Sequence, residues 1–387
     1  MLLTASRIHD GHNWLPPGTA IELEAGDRIV ALHNSDEGAT HYEGILCPGF
    51  VNVHCHMELS HMRGAIPEHT GLIPFLQQVM THRGNFTEEQ KRTARHDACS
   101  EMLANGIVAV GDIVNTTDTI DLRQLDMLHI HTFVECLGFT ETHAQQRFAA
   151  SEVLYNDFRA QPTAGKMLRQ SIVPHAPYSI SPSLFRIIDA FDKNALVCIH
   201  NEESEEEIKF YTDKSGKVND LLTGFNIDAT FFQPSGRSSL QTYTGWFAPS
   251  HPFIFVHNTY STRDDVRFAE ERFPQAYWCL CPNANRYIED RLPDMDMLLM
   301  SAKNICIGTD SLASNHQLSV LAELYTLKKQ YSGLDWGLLL RWGTLGGATA
   351  LQMQQHIGSI ELGKMPGIVQ VTGLDDSATP PAAKRII

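Results

Sequence analysis

PGFVNVHCHMELSHMRG, residues 48–64, decides the fold. It opens as a continuous apolar run, the pattern of a strand buried on both faces, and ends in His54-Cys55-His56 with Glu58 close behind. Side chains at i and i+2 of an extended chain share a face, so His54 and His56 project together while Cys55 turns into the core. Two imidazoles there are either metal ligands or polar residues where a strand meets a loop. The other strands decide between these readings.

Seven further apolar runs follow: IVAVGDI (107–113), HTFVECLG (131–138), SIVPHAP (171–177), ALVCIH (195–200), PFIFVH (252–257), YWCLCPN (277–283) and NICIGTD (304–310). Amphipathic segments separate most of them, such as residues 88–106 with their terminal glycine stop. Eight buried strands alternating with helices predict an α/β fold, a (β/α)8 TIM-like barrel over residues 48–355. Residues 1–47 read as short alternating strands with turns at PPG (16–18) and EAGD (24–27), and GSIELGKMPGIVQVTGL (358–374) reads alike. Neither end buries much alone, so residues 1–47 plus 356–387 are expected to pair as one small β-sandwich domain. Residues 201–250 break the rhythm with an acidic start and a long polar and aromatic stretch, as expected of a segment that covers an active site or meets a partner.

The 387 residues, 43% hydrophobic and 19% charged, supply an ordinary globular core. A formal net charge of −15 argues against a nucleic-acid polymer or an anionic membrane as partner, and leaves room for a small nucleotide-like substrate. No basic segment leads into an apolar one at the N-terminus, and no run is long enough to span a bilayer, so a cytoplasmic protein is expected. The 8 cysteines are scattered as reduced core thiols, and Cys279 and Cys281 lack a second pair at zinc-ribbon spacing.

How the strands end carries the chemistry. In a parallel barrel, functional groups gather at the C-terminal strand ends. Here the runs finish at His54, His175, His200, His257 and Asp310, and His56 follows the first. Imidazoles and a carboxylate suit Zn²⁺ or Fe²⁺, and three His with one Asp leave a position for water. Glu203, three residues after His200, sits beside the same opening if a helical turn begins there. Glu205, Glu206 and Glu207 read instead as acidic residues favoured by a helix N-terminus.

PGFVNVHCH, the His200-Asn-Glu-Glu203 stretch, His257 and the Gly308-Thr-Asp310-Ser stretch resemble the amidohydrolase superfamily, in its deaminase and chlorohydrolase branch. The tail Gly358–Gly367 looks like that family's return into its sandwich. The resemblance implies one divalent metal, Zn²⁺ ahead of Fe²⁺, on His54, His56, His200 and Asp310. His175 stands where binuclear members carry a bridging lysine, which favours a mononuclear site. It also implies substrate contacts from His175, Asn285 and Ser314. Glu58, two residues past the second ligand, is similar to a feature of aminodeoxyfutalosine deaminases; alternatively it caps a loop or pairs with Arg63.

The implied reaction is hydrolytic deamination. The metal acidifies water, His257 and Asp310 take its proton and orient it, and Glu203 protonates a ring nitrogen and then serves the departing amine. The expected substrate is the adenine of a 5′-modified adenosine, of aminodeoxyfutalosine, S-adenosylhomocysteine or methylthioadenosine type. Guanine, pterin or cytosine deamination, hydrolysis of a C–Cl or cyclic amide bond, and a catalytically dead scaffold are the alternatives. A homodimer is compatible with the superfamily.

Overall fold

The computed structural model describes residues 1–24, 27–374 and 379–387. The strands in chain order are β1 (Leu2–Ile8), β2 (Ala20–Leu23), β3 (Ile29–His33), β4 (Thr40–Pro48), β5 (Phe50–Cys55), β6 (Ile107–Val114), β7 (His129–Cys136), β8 (Leu168–Pro174), β9 (Val197–Asn201), β10 (Phe253–His257), β11 (Ala276–Leu280), β12 (Ile305–Ile307), β13 (Ile368–Thr372) and β14 (Ala382–Arg385). All eight apolar runs are strands, β5 to β12, and each ends within a few residues of its expected end.

These eight form two four-stranded sheets in sequential order, β5-β6-β7-β8 and β9-β10-β11-β12, and every pairing is parallel. The two sheets are stitched along both seams. At one, His200 N donates to His175 O at 3.0 Å; at the other, Thr309 N and Asp310 N both donate to His54 O at 3.0 and 3.1 Å. The period of two sorts the side chains. Phe253 and Phe255 of β10 pack outward with Val266, Ala269 and Phe273, whereas Ile254 and Val256 join Val53, Phe133, Cys198 and Cys279 in a separate inner cluster.

Helices cover the outer face. Glu88–Ala104 starts in a capping box between Thr87 and Gln90 and stops before Gly106, whose φ of 79° only glycine adopts without cost. A Cβ at Gly106 would also lie 2.6 Å from Val369, so this turn sets the strand-to-tail packing.

The two chain ends do pair. They form one mixed six-stranded sheet, ordered β14-β13-β4-β1-β2-β3, in which β1 and β4 run parallel. Two facing layers were expected; the described strands of these segments all belong to this one sheet. The turn at Pro16–Gly18 is present, with Thr19 N donating to Pro16 O at 3.3 Å. Of the second predicted turn, Ala25 and Gly26 lie outside the described residues.

Residues 201–250 fold into the helices Glu205–Asp213, Val218–Gly224 and Ser239–Tyr243. Their Phe210, Tyr211, Leu222 and Phe232 pack with Leu72, Phe75 and Val79 of the helix Leu72–His82, making an apolar cap near the strand ends. No helix among the described residues is long and apolar enough to cross a membrane.

Candidate metal centre and active site

The strand ends converge. One ligand atom from each of His54, His56 and His200 lies within 4.8 Å of the others, and His54, His257 and Asp310 meet the same limit. His54 belongs to both groups. Asp310 Oδ1 stands 3.5 Å from His54 Nε2 and 3.4 Å from His56 Nε2. Burial pushes the His54 imidazole down to about 4 and that of His56 to about 3, so both are neutral donors at neutral pH. Burial alone would raise Asp310, but His54, His56 and His257 outweigh it and hold the carboxylate well below its usual range. Buried His54 Nε2 and His200 Nε2 have no hydrogen-bond partner among the described residues. Orphaned imidazole nitrogens beside a carboxylate are costly without an occupant, and this donor set fits a divalent metal ion.

The backbone holds these groups in strained positions. His257, Asn258 and Asp310 adopt left-handed φ of 72°, 57° and 56° although none is glycine. Such residues cost roughly 1–3 kcal/mol each and gather where function requires a set direction.

Around this cluster lie further buried titratable groups. Glu203 Oε2 is 3.5 Å from His200 Nδ1 and its Oε1 is 3.7 Å from His257 Nε2. Burial raises the Glu203 carboxyl, against the pull of His257. His257 is fully buried; its Nδ1 lies 2.7 Å from Asn285 Oδ1 and its Nε2 lies 3.1 Å from His200 Nδ1. Asn285 and Ser314 both stand behind the cluster and off the cavity lining, with Ser314 Oγ donating to Asp310 Oδ2. His175, held by Ser179 Oγ at 2.9 Å, lines the cavity with His56, Glu203 and Asp310.

The cavity measures about 120 Å³, roofed by Leu72, Phe75, Leu76 and Val79. A larger cavity of about 760 Å³ lies elsewhere, between the helices Pro282–Glu289 and Val320–Gln330 and the tail at Pro380–Ala383. It holds none of the clustered His and Asp residues, whereas His56, His200 and Asp310 line the smaller one.

Several residues differ from their sequence reading. Glu58 caps a loop, as one reading had it, accepting from Asn115 N at 2.9 Å and Thr116 N at 3.1 Å, but it does not pair with Arg63, which bonds Glu101 instead; its cationic partner is Arg83, at 3.4 Å, carried in by the helix Leu72–His82. His61, expected from the opening stretch to sit with Glu58 where substrate binds, bonds Arg83 O and packs on Phe86, off the cavity lining. Glu207 stands in the first turn of the helix Glu205–Asp213 as expected, but it is also fully buried there, accepting from Glu202 N and Ser239 Oγ, and burial raises its carboxyl to about 8. Glu135 was missed altogether. It ends the run HTFVE at β7, lines the cavity, lies 3.7 Å from His200 Nε2, and accepts from Asn115 Nδ2 at 2.7 Å. Its signal was present, since that strand also finishes in a titratable residue.

The comparisons with known proteins agree with this architecture. The model of the Amidohydrolase family matches residues 45–383. The chain belongs to that family. This amidohydrolase is a hydrolase acting on C–N bonds, and it is similar to a Helicobacter pylori protein named adenosine deaminase, 26% identical, with 87% of this chain and 80% of that one covered. Among solved structures it resembles the H. pylori aminofutalosine deaminase in complex with methylthio-coformycin, at TM-score 0.82 and 21% identity, covering 95% of this chain and 91% of that one. It also resembles a zinc-bound adenosine deaminase of Xanthomonas campestris, at TM-score 0.76 and 22% identity, covering 98% and 86%.

Proposed function

We propose that this amidohydrolase is a zinc-dependent hydrolytic deaminase acting on the adenine of a 5′-modified adenosine and releasing ammonia. The observation that carries the reading is Glu203, a buried carboxyl between His200 and His257 on the cavity wall. Deamination needs an acid at that place, because an amine departs only after a proton reaches the heterocycle.

His54, His56, His200 and Asp310 would hold the ion. When bound, it supplies Lewis acidity that brings the pKa of water to about 7. His257 orients that water and takes its proton at Nε2, with Nδ1–H committed to Asn285. Glu203, whose carboxyl burial raises, donates its proton to the ring nitrogen beside the carbon under attack, takes up the proton of the added hydroxyl as the carbonyl forms and passes it to the amine, which departs as ammonia. The proton held by His257 then returns to Glu203, whose Oε1 lies 3.7 Å from His257 Nε2. The apolar roof excludes bulk water, and His175 meets the substrate from the β8 side. Relatives named for adenosine, aminodeoxyfutalosine, and methylthioadenosine and S-adenosylhomocysteine support the purine nucleoside class. We also propose that β5–β12 close into one barrel over residues 48–355, with residues 1–47 and 356–387 as the second domain. The two stitched seams and the inner cluster support that reading.

The test is ammonia release from a panel of adenosines, guanine, pterins and cytosine by zinc-loaded protein, with Glu203→Gln as control. Wild-type turnover of adenosines and a loss of roughly 10²–10⁴-fold in the variant are expected. Silence across the panel, or full activity in the variant, refutes the proposal.

A further inference from the structure

Behind the His and Asp cluster, Glu323 joins two segments that carry site residues. It lies in the helix Val320–Gln330 and is 0% exposed. Its Oε2 accepts from Asn283 N at 2.8 Å, and its Oε1 accepts from Asn283 Nδ2 at 3.0 Å and from Asn315 Nδ2 at 2.7 Å. All of its hydrogen-bond partners among the described residues are these amide N–H groups. A carboxylate buried without a cation is costly, so an apolar side chain would fill the space at less cost. The three donors explain the residue type: a carboxylate accepts on both oxygens, whereas a neutral amide keeps one acceptor.

Each clamped amide leads to the metal centre. Asn315 Nδ2 also donates to Thr309 O at 2.9 Å, while Asn52 of β5 holds Thr309 N at 3.1 Å and Thr309 Oγ1 at 2.8 Å. Thr309 is thereby fixed from both sides, and Asp310 follows it at the left-handed φ of 56°. Such a conformation persists only where the surroundings over-determine it. Asn283 stands in the first turn of the helix Pro282–Glu289, two residues before Asn285, the partner of His257 Nδ1. Thr326 Oγ1 donates to Asn283 Oδ1 at 2.6 Å, a second tie between the same two helices. One carboxylate thus spans the segment that aims Asp310 and the helix that aims Asn285.

We propose that Glu323 is a positioning residue, which holds Asp310 as a metal ligand and Asn285 behind His257 as one unit. It is absent from the cavity lining and acts through Asn315 and Asn283. The inference rests on the metal centre and, for its effect on turnover, on the deaminase reading.

The experiment has two readouts. Zinc affinity, measured by competition with a chromophoric chelator, needs no turnover; kcat and KM for adenosines come from the zinc-loaded protein. Glu323→Gln, nearly isosteric, should weaken zinc binding by about 10- to 100-fold and lower kcat by a like factor, with KM within about 3-fold of wild type. Asn283→Ala removes one of the three bonds to Glu323 from a partly buried side chain, and should weaken zinc binding by about 3-fold or more. Where Glu323→Gln does not fold, Asn283→Ala decides by the same measure. Glu270→Gln is the control: this buried carboxylate accepts from Trp278 Nε1 at 3.1 Å and Lys303 N at 2.9 Å, in the outer packing, and its loss should lower the urea midpoint but leave zinc affinity unchanged. Zinc affinity in Glu323→Gln within about 2-fold of wild type, or an equal loss in Glu270→Gln, overturns the inference and leaves the deaminase reading standing. Weakened zinc binding in Glu323→Gln alone, with no ammonia released by the wild type, upholds the inference and refutes the deaminase reading instead.

Discussion

Asn285 Oδ1 lies 2.7 Å from His257 Nδ1, and both side chains are at most 2% exposed. The amide oxygen can only accept, so this contact places the His257 proton on Nδ1 and leaves Nε2 with a lone pair facing Glu203 and His200. The tautomer follows from a residue 28 positions away in sequence.

Asn285→Ala should therefore lower kcat by roughly 10- to 100-fold, the usual cost of losing such an orienting partner, while zinc content stays unchanged. Steady-state kinetics beside metal analysis checks this. Unchanged kcat would mean that His257 needs no external orientation.

Removal of the metal should destabilise the fold, because three neutral imidazoles and a carboxylate are buried around one point. At free zinc of 100 times its dissociation constant, about 2.7 kcal/mol of stabilisation is expected. Thermal unfolding with and without a chelator should show a lower Tm in the stripped protein. His54→Ala should abolish the zinc dependence of Tm, and a variant that kept it would remove His54 from the site.

Gly111 in β6 is a packing requirement. A Cβ there would sit 2.0 Å from Val53 O and 2.9 Å from Phe133, between the first and third strands of the parallel sheet. Gly111→Ala should cost about 3 kcal/mol or more in urea unfolding, or prevent soluble expression. A loss below about 1 kcal/mol would show that β5 and β6 can spread apart.

Stability should fall in acid through His129. Burial first, then Lys166 and His356, push its imidazole down to about 4, and its Nδ1 accepts from Met167 N at 2.9 Å. A folded pKa below the unfolded value gives stability that is present above pH ~6.5 and is lost as pH falls toward 4. Between pH 7 and 5, wild type should lose about 2 kcal/mol more than His129→Gln in urea titrations. Parallel losses would show that His129 protonates alike in both states.

The eight strands were legible because parallel strands buried on both faces write themselves as local apolar runs, and the gathering at His54, His175, His200, His257 and Asp310 follows from the rule that such strands end on one side. Glu203 was legible too, although no helical turn joins it to His200: β9 runs to Asn201, Glu202 is left-handed at φ 46° and the helix begins only at Glu205. Tertiary structure alone decided the rest. Glu58 could have met Arg63 or Arg83, five or 25 residues on, and the packing of the helix Leu72–His82 chose the second. Burial of Glu207 depends on Ser239, 32 residues later, and the state of His257 depends on Asn285. Residue type and short-range periodicity set which side chains point the same way; which of them meet is settled by how separate strands and helices pack, and no local pattern records that.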